Sequence, residues 1–332
     1  MVAAALTLLL VLQIILMRFK LNYRERRKNR FLSVWQPLMV QSLAENIQHY
    51  PPIHKADIAE FINLWNHFQE SLRGESKECL NQLARAVSID QMALKLLRHR
   101  SVTEQLLAIM TLGHLRDKSA WKVLSGLIQD SNPVISLAAA RALMQIDASA
   151  AVCLFMPLLG VRTDWPASKI AAILKEAGAS VISEPLAELI RHAPVQQLPG
   201  LIHFLDLSYA ELGASLVREI LETSTNTQVI AACLLAMRDA RNLDLARKQL
   251  KHPDWPVRVQ AAAALGRIGS AADRESLLSL LQDPQWWVRY RAAQALSNLP
   301  FVTLSQLQQL QAEQTDPYAR DMLQQVIAER RA

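Results

Sequence analysis

With 332 residues the chain is long enough for two globular domains. Its formal charge of +6 is carried by one segment: residues 18–30 hold seven bases against Glu25, and everything else contains 29 basic and 29 acidic groups. A body that neutral argues against generic nucleic-acid binding, whose affinity comes largely from neutralised phosphates, so nucleic acid is not an expected partner.

Met1–Met17 carries no charge, and ten of its residues are Leu, Ile or Val. On an insertion scale each of these favours the bilayer by about 0.3–0.6 kcal/mol, or roughly 3–6 kcal/mol together. Seventeen helical residues reach about 25 Å, and Phe19 and Leu21 lengthen the apolar side while Arg18 and Lys20 snorkel. The stretch has neither a positive leader nor a small-residue cleavage site, so it reads as a retained transmembrane anchor over residues 1–21. The bases that follow place the N-terminus outside and the rest on the cytoplasmic side of a plasma (inner) membrane. Residues 22–40 read as a basic and aromatic juxtamembrane linker. Arg18, Lys20, Arg24, Arg26, Arg27, Lys28 and Arg30, with Trp35, are the candidate membrane-surface residues, each base adding about 1 kcal/mol against anionic lipid head groups. Phe31, Leu32, Trp35 and Leu38 recur at helical spacing and suit either the membrane surface or a cover for the first repeat, and Pro37 is expected to kink or start a helix.

From 41 to 100 helical segments are expected near 41–49, 55–72, 76–87 and 90–99, divided by Pro51-Pro52, Gly74 and Ser88. They read as a divergent N-terminal cap over the open end of a stack, spanning residues 41–100. Beyond Ser101 a ladder appears: Leu112, Leu143, Leu174, Leu205, Leu235, Leu265, Leu296 and Ile327 follow one another by 30 or 31 residues. Four places before each rung stand Ala108, Ala139, Ile170, Leu201, Ala231, Ala261, Ala292 and Leu323, which marks one face of a helix. Asn132-Pro133, Asp254 with Pro256, and Asp283-Pro284 mark the starts of the rung-bearing helices, because Asn or Asp caps and Pro fits the first turn. Ser119, Ser149, Ser180, Ser208, Asn242, Ser270 and Thr303 mark the starts of the helices between them. A fixed period whose units cannot bury their apolar faces alone predicts an all-α fold, an α-solenoid of helical hairpins over 101–332. Cys79, Cys153 and Cys233 are far apart in apolar helical segments and read as buried thiols of a reducing compartment.

Asp130–Leu143 and Pro256–Gly266, the latter reading Pro-Val-Arg-Val-Gln-Ala-Ala-Ala-Ala-Leu-Gly, resemble HEAT repeats. The short unit is similar to the HEAT-like repeats of phycobilisome lyases. The resemblance covers about residues 100–330 and is clearest at 101–146 and 252–299. Residues 150–240 keep the rung without the Pro-Val-Arg and Leu-Gly signatures.

No glycine-rich phosphate loop, His-Glu-x-x-His, paired-cysteine spacing or Gly-x-Ser-x-Gly occurs, and His49 and His54 are split by a Pro-Pro turn. No catalytic, cofactor-binding or metal-binding residue is expected. The candidate protein-binding residues lie in the last three repeats: Arg258, Arg289 and Arg320 stand seven places before their rungs and Trp255 and Trp286 ten, with Trp287, Tyr290 and Arg291 beside them. Trp and Arg are enriched at binding hot spots. The HEAT resemblance offers another role for the arginines, bracing the turn within a repeat by way of Asp254 or Asp283, and the tryptophans can equally pack between repeats. The expected function is a non-catalytic, membrane-anchored scaffold for a membrane-associated protein, such as an envelope enzyme or glycosyltransferase complex. The resemblance also allows a bilin lyase or chromophore chaperone, and a HEAT-like DNA-binding protein or glycosylase.

Overall fold

The computed structural model describes residues 2–44, 47 and 49–331, and the side chains of these except for residues 2–10, Arg24 and Arg331. Every regular element among the described residues is an α-helix or a short 3-10 turn. The chain divides into two units, Met1–Ala151 and Val152–Ala332.

The first unit holds α1 (Val2–Gln41), α2 (Ile58–Ser71), α3 (Glu75–Ala86), α4 (Ile89–Leu96), α5 (Val102–Leu115), α6 (Trp121–Leu127) and α7 (Pro133–Ile146). Its second half is already regular, because the rung-bearing helices α5 and α7 lie side by side. Asn132 caps α7 by accepting from the Val134 amide at 3.0 Å, with Pro133 in the first turn. In the first half α2 is the central element. Phe61 and Trp65 are fully buried, and Trp65 donates its indole N–H to the Leu80 carbonyl at 3.0 Å. Asn66 ties α2 to α5 by donating to the Leu107 carbonyl and accepting from the Thr111 hydroxyl. These buried polar groups are satisfied, as burial demands.

The expected membrane anchor is corrected here. Among the described residues no helix is long and apolar enough to cross a membrane. The side chains of the first ten residues of the apolar leader lie outside the described residues. The described part of α1 passes without a break from the apolar run through the basic run and Pro37 to Gln41, so residues 22–40 are helix and not a linker. Its later turns belong to the core of the first unit. Trp35 is 3% exposed and Met39 is buried, and Trp35 meets the Phe61 ring edge-on at 4.7 Å. The expectation that Trp35 lies on a membrane surface therefore fails. Arg27 clasps Asp57 through Nε at 2.8 Å and Nη2 at 3.0 Å, and Lys28 pairs with Glu60 at 3.2 Å. Two of the seven bases thus dock α1 onto the start of α2, while Arg18, Lys20, Arg26 and Arg30 are exposed.

The second unit opens within α8 (Ala148–Leu159) and continues through α9 (Ala167–Ala177), α10 (Ala179–His192), α11 (Leu198–Ile202), α12 (Ala210–Thr223), α13 (Thr227–Ala236), α14 (Leu243–Gln249), α15 (Trp255–Ile268), α16 (Arg274–Ser279), α17 (Trp286–Asn298), α18 (Leu304–Glu313) and α19 (Pro317–Arg331). Rung-bearing helices alternate with the others, and α13, α15, α17 and α19 lie successively side by side. Ser270 and Thr303 each form a capping box, with Asp273 and Gln306 respectively. Trp165 is buried and stacks on Phe155 at 5.5 Å.

Seven of the eight rungs are buried, from Leu112 to Ile327, but Leu235 is 47% exposed. In that repeat the core position has slipped back by one: Leu234 is fully buried, with Ile230 four places before it in place of Ala231. The repeat before it is also irregular. Leu205 lies not in an α-helix but in the 3-10 turn Leu205–Leu207 that follows the short α11. The Leu-Gly signature has a steric reason in both units. A Cβ on Gly113 would stand 2.9 Å from the Cα of Ala142, and one on Gly266 would stand 2.7 Å from the Cα of Ala295. Glycine is required there because neighbouring rung helices approach backbone to backbone. Of the three cysteines only Cys233 is buried, Cys79 being half-buried and Cys153 exposed, so the expectation of three buried thiols is corrected.

Candidate functional site

The three arginines seven places before their rungs share one geometry. Arg258 donates through Nη1 to the carbonyls of His252 and Pro253, both at 2.8 Å. Arg289 donates to those of Asp283 and Pro284 at 2.7 and 3.1 Å, and Arg320 to that of Gln314 at 2.7 Å. Each guanidinium thus ties down the turn that leads into its own helix. Arg258 does more, since its Nε and Nη2 grip both carboxylate oxygens of Asp283 in the following repeat, at 2.7 and 2.9 Å. Arg289 lies over the ring of Tyr318, its guanidinium carbon 5.2 Å from the ring centre. The bracing role is therefore occupied at all three positions, and Asp283 is the carboxylate reached.

The aromatic residues are placed differently. Trp286, at the first position of α17, stacks on Tyr290 at 5.3 Å and meets Trp287 edge-on at 4.7 Å. Trp286 is 39% exposed and Trp287 56%, so the cluster is ordered without being covered. Tyr290 donates its hydroxyl to Glu329 of α19 at 3.0 Å. Burial, then Glu329, raises the Tyr290 phenol above its ordinary value, and Arg291 opposes them. Trp255, at the same place in the preceding repeat, is 40% exposed. Tyr318, one repeat after Trp287, is also exposed. Register alone could have found it.

Arg291 donates to Gln294 of its own helix, and its charge acts on a second group of cations. Arg267 of α15 donates through Nη2 to the Leu234 and Leu235 carbonyls at 2.7 and 3.1 Å, closing the end of α13. Arg238, just beyond α13, donates to the Leu235 carbonyl and pairs with Asp206 at 2.7 Å. Burial, then the charges of Arg238 and Arg291, lower Arg267 below the ordinary guanidinium value, with Asp206 opposing. Arg238, Arg267 and Arg291 sit at different offsets from their rungs, so no periodic signal marks Arg238 or Arg267, and Arg291 stands among the sequence candidates only as a neighbour of Trp287 and Tyr290. Arg18, Lys20, Arg26 and Arg30 converge on no comparable feature, and Arg24's side chain lies outside the described residues. No group of three or more His, Cys, Asp or Glu side chains among the described residues is placed to hold a metal ion.

The family model described as HEAT repeats matches residues 89–174, 214–297 and 243–328, which together are more than half of the chain. No curated protein matches. Among solved structures the chain is similar to Kap121p, at 13% identity and a TM-score of 0.47, over 88% of this chain and 37% of that one. It is also similar to two engineered proteins. One is 19% identical with a TM-score of 0.27, covering 84% of this chain and 83% of the other. The second is 20% identical with a TM-score of 0.24, covering 72% and 95%. The chain thus spans little more than a third of Kap121p. The match is to HEAT repeats as such, and none of these likenesses carries the expected similarity to phycobilisome lyases.

Proposed function

The chain belongs to the HEAT-repeat family, and from that premise we propose that it acts as a non-catalytic adaptor that holds a protein partner on the aromatic face of its last repeats. HEAT repeats stack into extended binding surfaces, which supports a role in protein–protein interaction. The observation that carries the reading is the cluster of Trp286, Trp287 and Tyr290: Trp286 is fixed against both of the other rings, yet both indoles are exposed. A soluble face has no use for stacked indoles, whereas a partner gains large contact area from rings that lose little freedom on binding. Trp255 and Tyr318 extend the face to either side in sequence.

Site-specific photocrosslinking from position 287 in the expressing cell tests this, with exposed Val123 of the first unit as the reference position. A discrete protein adduct at 287, absent at 123 and lost in Trp286→Ala at an unchanged unfolding midpoint, is the expected result. Each tryptophan truncation should cost about 2 kcal/mol, or roughly 30-fold in Kd. Identical crosslink patterns from 287 and 123, or an adduct that Trp286→Ala leaves intact, would refute the proposal.

A further inference from the structure

The slipped rung has a consequence on the outer face of α13. Moving Leu234 into the core turns Leu235 outward. Leu235 then lines a cleft of about 160 Å³ with Pro199, Ala232, Ala236, His203 and the Asp206–Arg238 pair. That volume is comparable with the roughly 150 Å³ cavities that take a benzene-sized group. Arg267 stands at the rim, its Nη2 3.1 Å from the Leu235 carbonyl. Arg291 follows on α17, which packs beside α15, and leads to Tyr290 and the aromatic cluster.

We propose that this cleft and its row of arginines, Arg238, Arg267 and Arg291, bind an extended acidic segment of a protein partner, with one apolar side chain seated beside Leu235. Among the described residues Asp206 is the one carboxylate paired with these three guanidiniums, and it is Arg238 that engages it. Arg291 donates through Nη1 to the neutral side-chain oxygen of Gln294, and among the described residues no carboxylate pairs with it. The row is therefore short of negative charge, and Arg267 feels the like charges on both sides of it. Carboxylates spaced along a peptide would relieve that repulsion and accept from the guanidinium forks. An apolar cleft flanked by a few cations suits spaced carboxylates and aliphatic side chains. A nucleic acid, with a phosphate at every nucleotide, needs a continuous basic track. The inference rests on the adaptor reading only in taking a polypeptide as the ligand.

The test uses the full chain and a fluorescein-labelled 12-residue peptide of four Glu-Glu-Leu triplets, followed by anisotropy. The Glu peptide should bind at least tenfold more tightly than its Gln counterpart and weaken as salt rises. Arg267→Gln should lose at least tenfold. Because Arg267 also closes α13, the second variant is Leu235→Glu, which changes an exposed side chain and supplies the row with a carboxylate of its own. It should abolish binding while leaving the unfolding midpoint unchanged or higher. Equal affinity for the Glu and Gln peptides, wild-type binding by Leu235→Glu, or displacement of the peptide by tenfold less single-stranded oligonucleotide would each overturn the proposal. The crosslink from position 287 reports separately on the adaptor reading, so either can fail alone.

Discussion

The close approach of rung helices predicts that Gly266→Ala, ordinarily a stabilising change in a helix, destabilises this chain. Alanine gains about 1 kcal/mol over glycine in a helix interior. At position 266 the new Cβ would lie 2.7 Å from the Ala295 Cα and 2.9 Å from its Cβ, where carbon atoms rest at about 3.5–4.0 Å. The nearest of those atoms is backbone, so α15 and α17 must separate by about 1 Å. Overpacking of that kind costs about 1–3 kcal/mol, leaving a net loss of up to about 2 kcal/mol after the propensity gain. Gly200 in α11 supplies the control in the same unit, since a Cβ there meets nothing within 4 Å. The assay is urea unfolding by circular dichroism, with hydrogen exchange on peptides from α15 and α17, because an array of repeats can open locally. Gly266→Ala should lower the midpoint and raise exchange in both helices, and Gly200→Ala should do neither. If Gly266→Ala were as stable as Gly200→Ala, the backbone-to-backbone packing described here would be wrong.

Three further outcomes are expected. Arg258→Ala should cost about 3–5 kcal/mol by leaving Asp283 buried without its partner, and Arg258→Lys should recover less than half of it, because an ammonium cannot reach two carboxylate oxygens and two turn carbonyls together; both are read by chemical unfolding. Burial pushes Asp273 upward, but the fork of Arg247 and the Ser270 amide outweigh it and hold the carboxyl below the usual carboxylate range. A depressed carboxyl stabilises the fold above its unfolded value of about 3.9 and loses that contribution as pH falls further; wild type should therefore lose stability more steeply than Asp273→Asn below about pH 4 in acid titrations. Burial raises the Cys233 thiol to about 12, so at pH 8 a thiol reagent should label exposed Cys153 promptly and Cys233 only on unfolding, which peptide mass mapping can check.

What the sequence disclosed follows from what repetition can encode. Leu112, Leu143, Leu174, Leu265 and Leu296 are legible because each occupies the same geometry as its predecessor, so one residue type recurs at one interval. The turn braces were legible for the same reason, and their shared offset was itself a sign of a structural task. Leu235 was misread because both positions 234 and 235 are leucine, so the count alone cannot decide which one faces inward. The N-terminal run was misread for a different reason. Hydropathy treats residues 1–21 as a segment apart, whereas the helix runs on to Gln41 and its later turns carry Trp35, Met39 and Arg27 onto α2. Nothing local in the basic run announces Asp57 and Glu60 some thirty residues away.

The slip at Leu235 has a physical basis that bears on where binding chemistry arises in such a chain. A residue repeated in register serves the contact between one unit and the next, and is consumed by it, as the guanidinium of Arg258 is consumed by Asp283 and two carbonyls. Residues left over for a partner are those whose contacts do not recur from repeat to repeat: Leu235, displaced by a slip of one position, and Arg238, Arg267 and Arg291, which lie at unrelated offsets from their rungs, Arg267 also closing the end of α13. Trp286 and Trp287 do recur in register, as Trp255 and Tyr318 show, yet they too are left over, since Val288 takes the buried position at the start of α17 and leaves both indoles outside. In a stacked array, then, side chains that the contact between repeats leaves over are the places to seek a binding surface, whether they depart from the period or keep it. The pair Leu235→Glu and Gly266→Ala separates the two classes: the first should alter binding at constant stability, the second stability first.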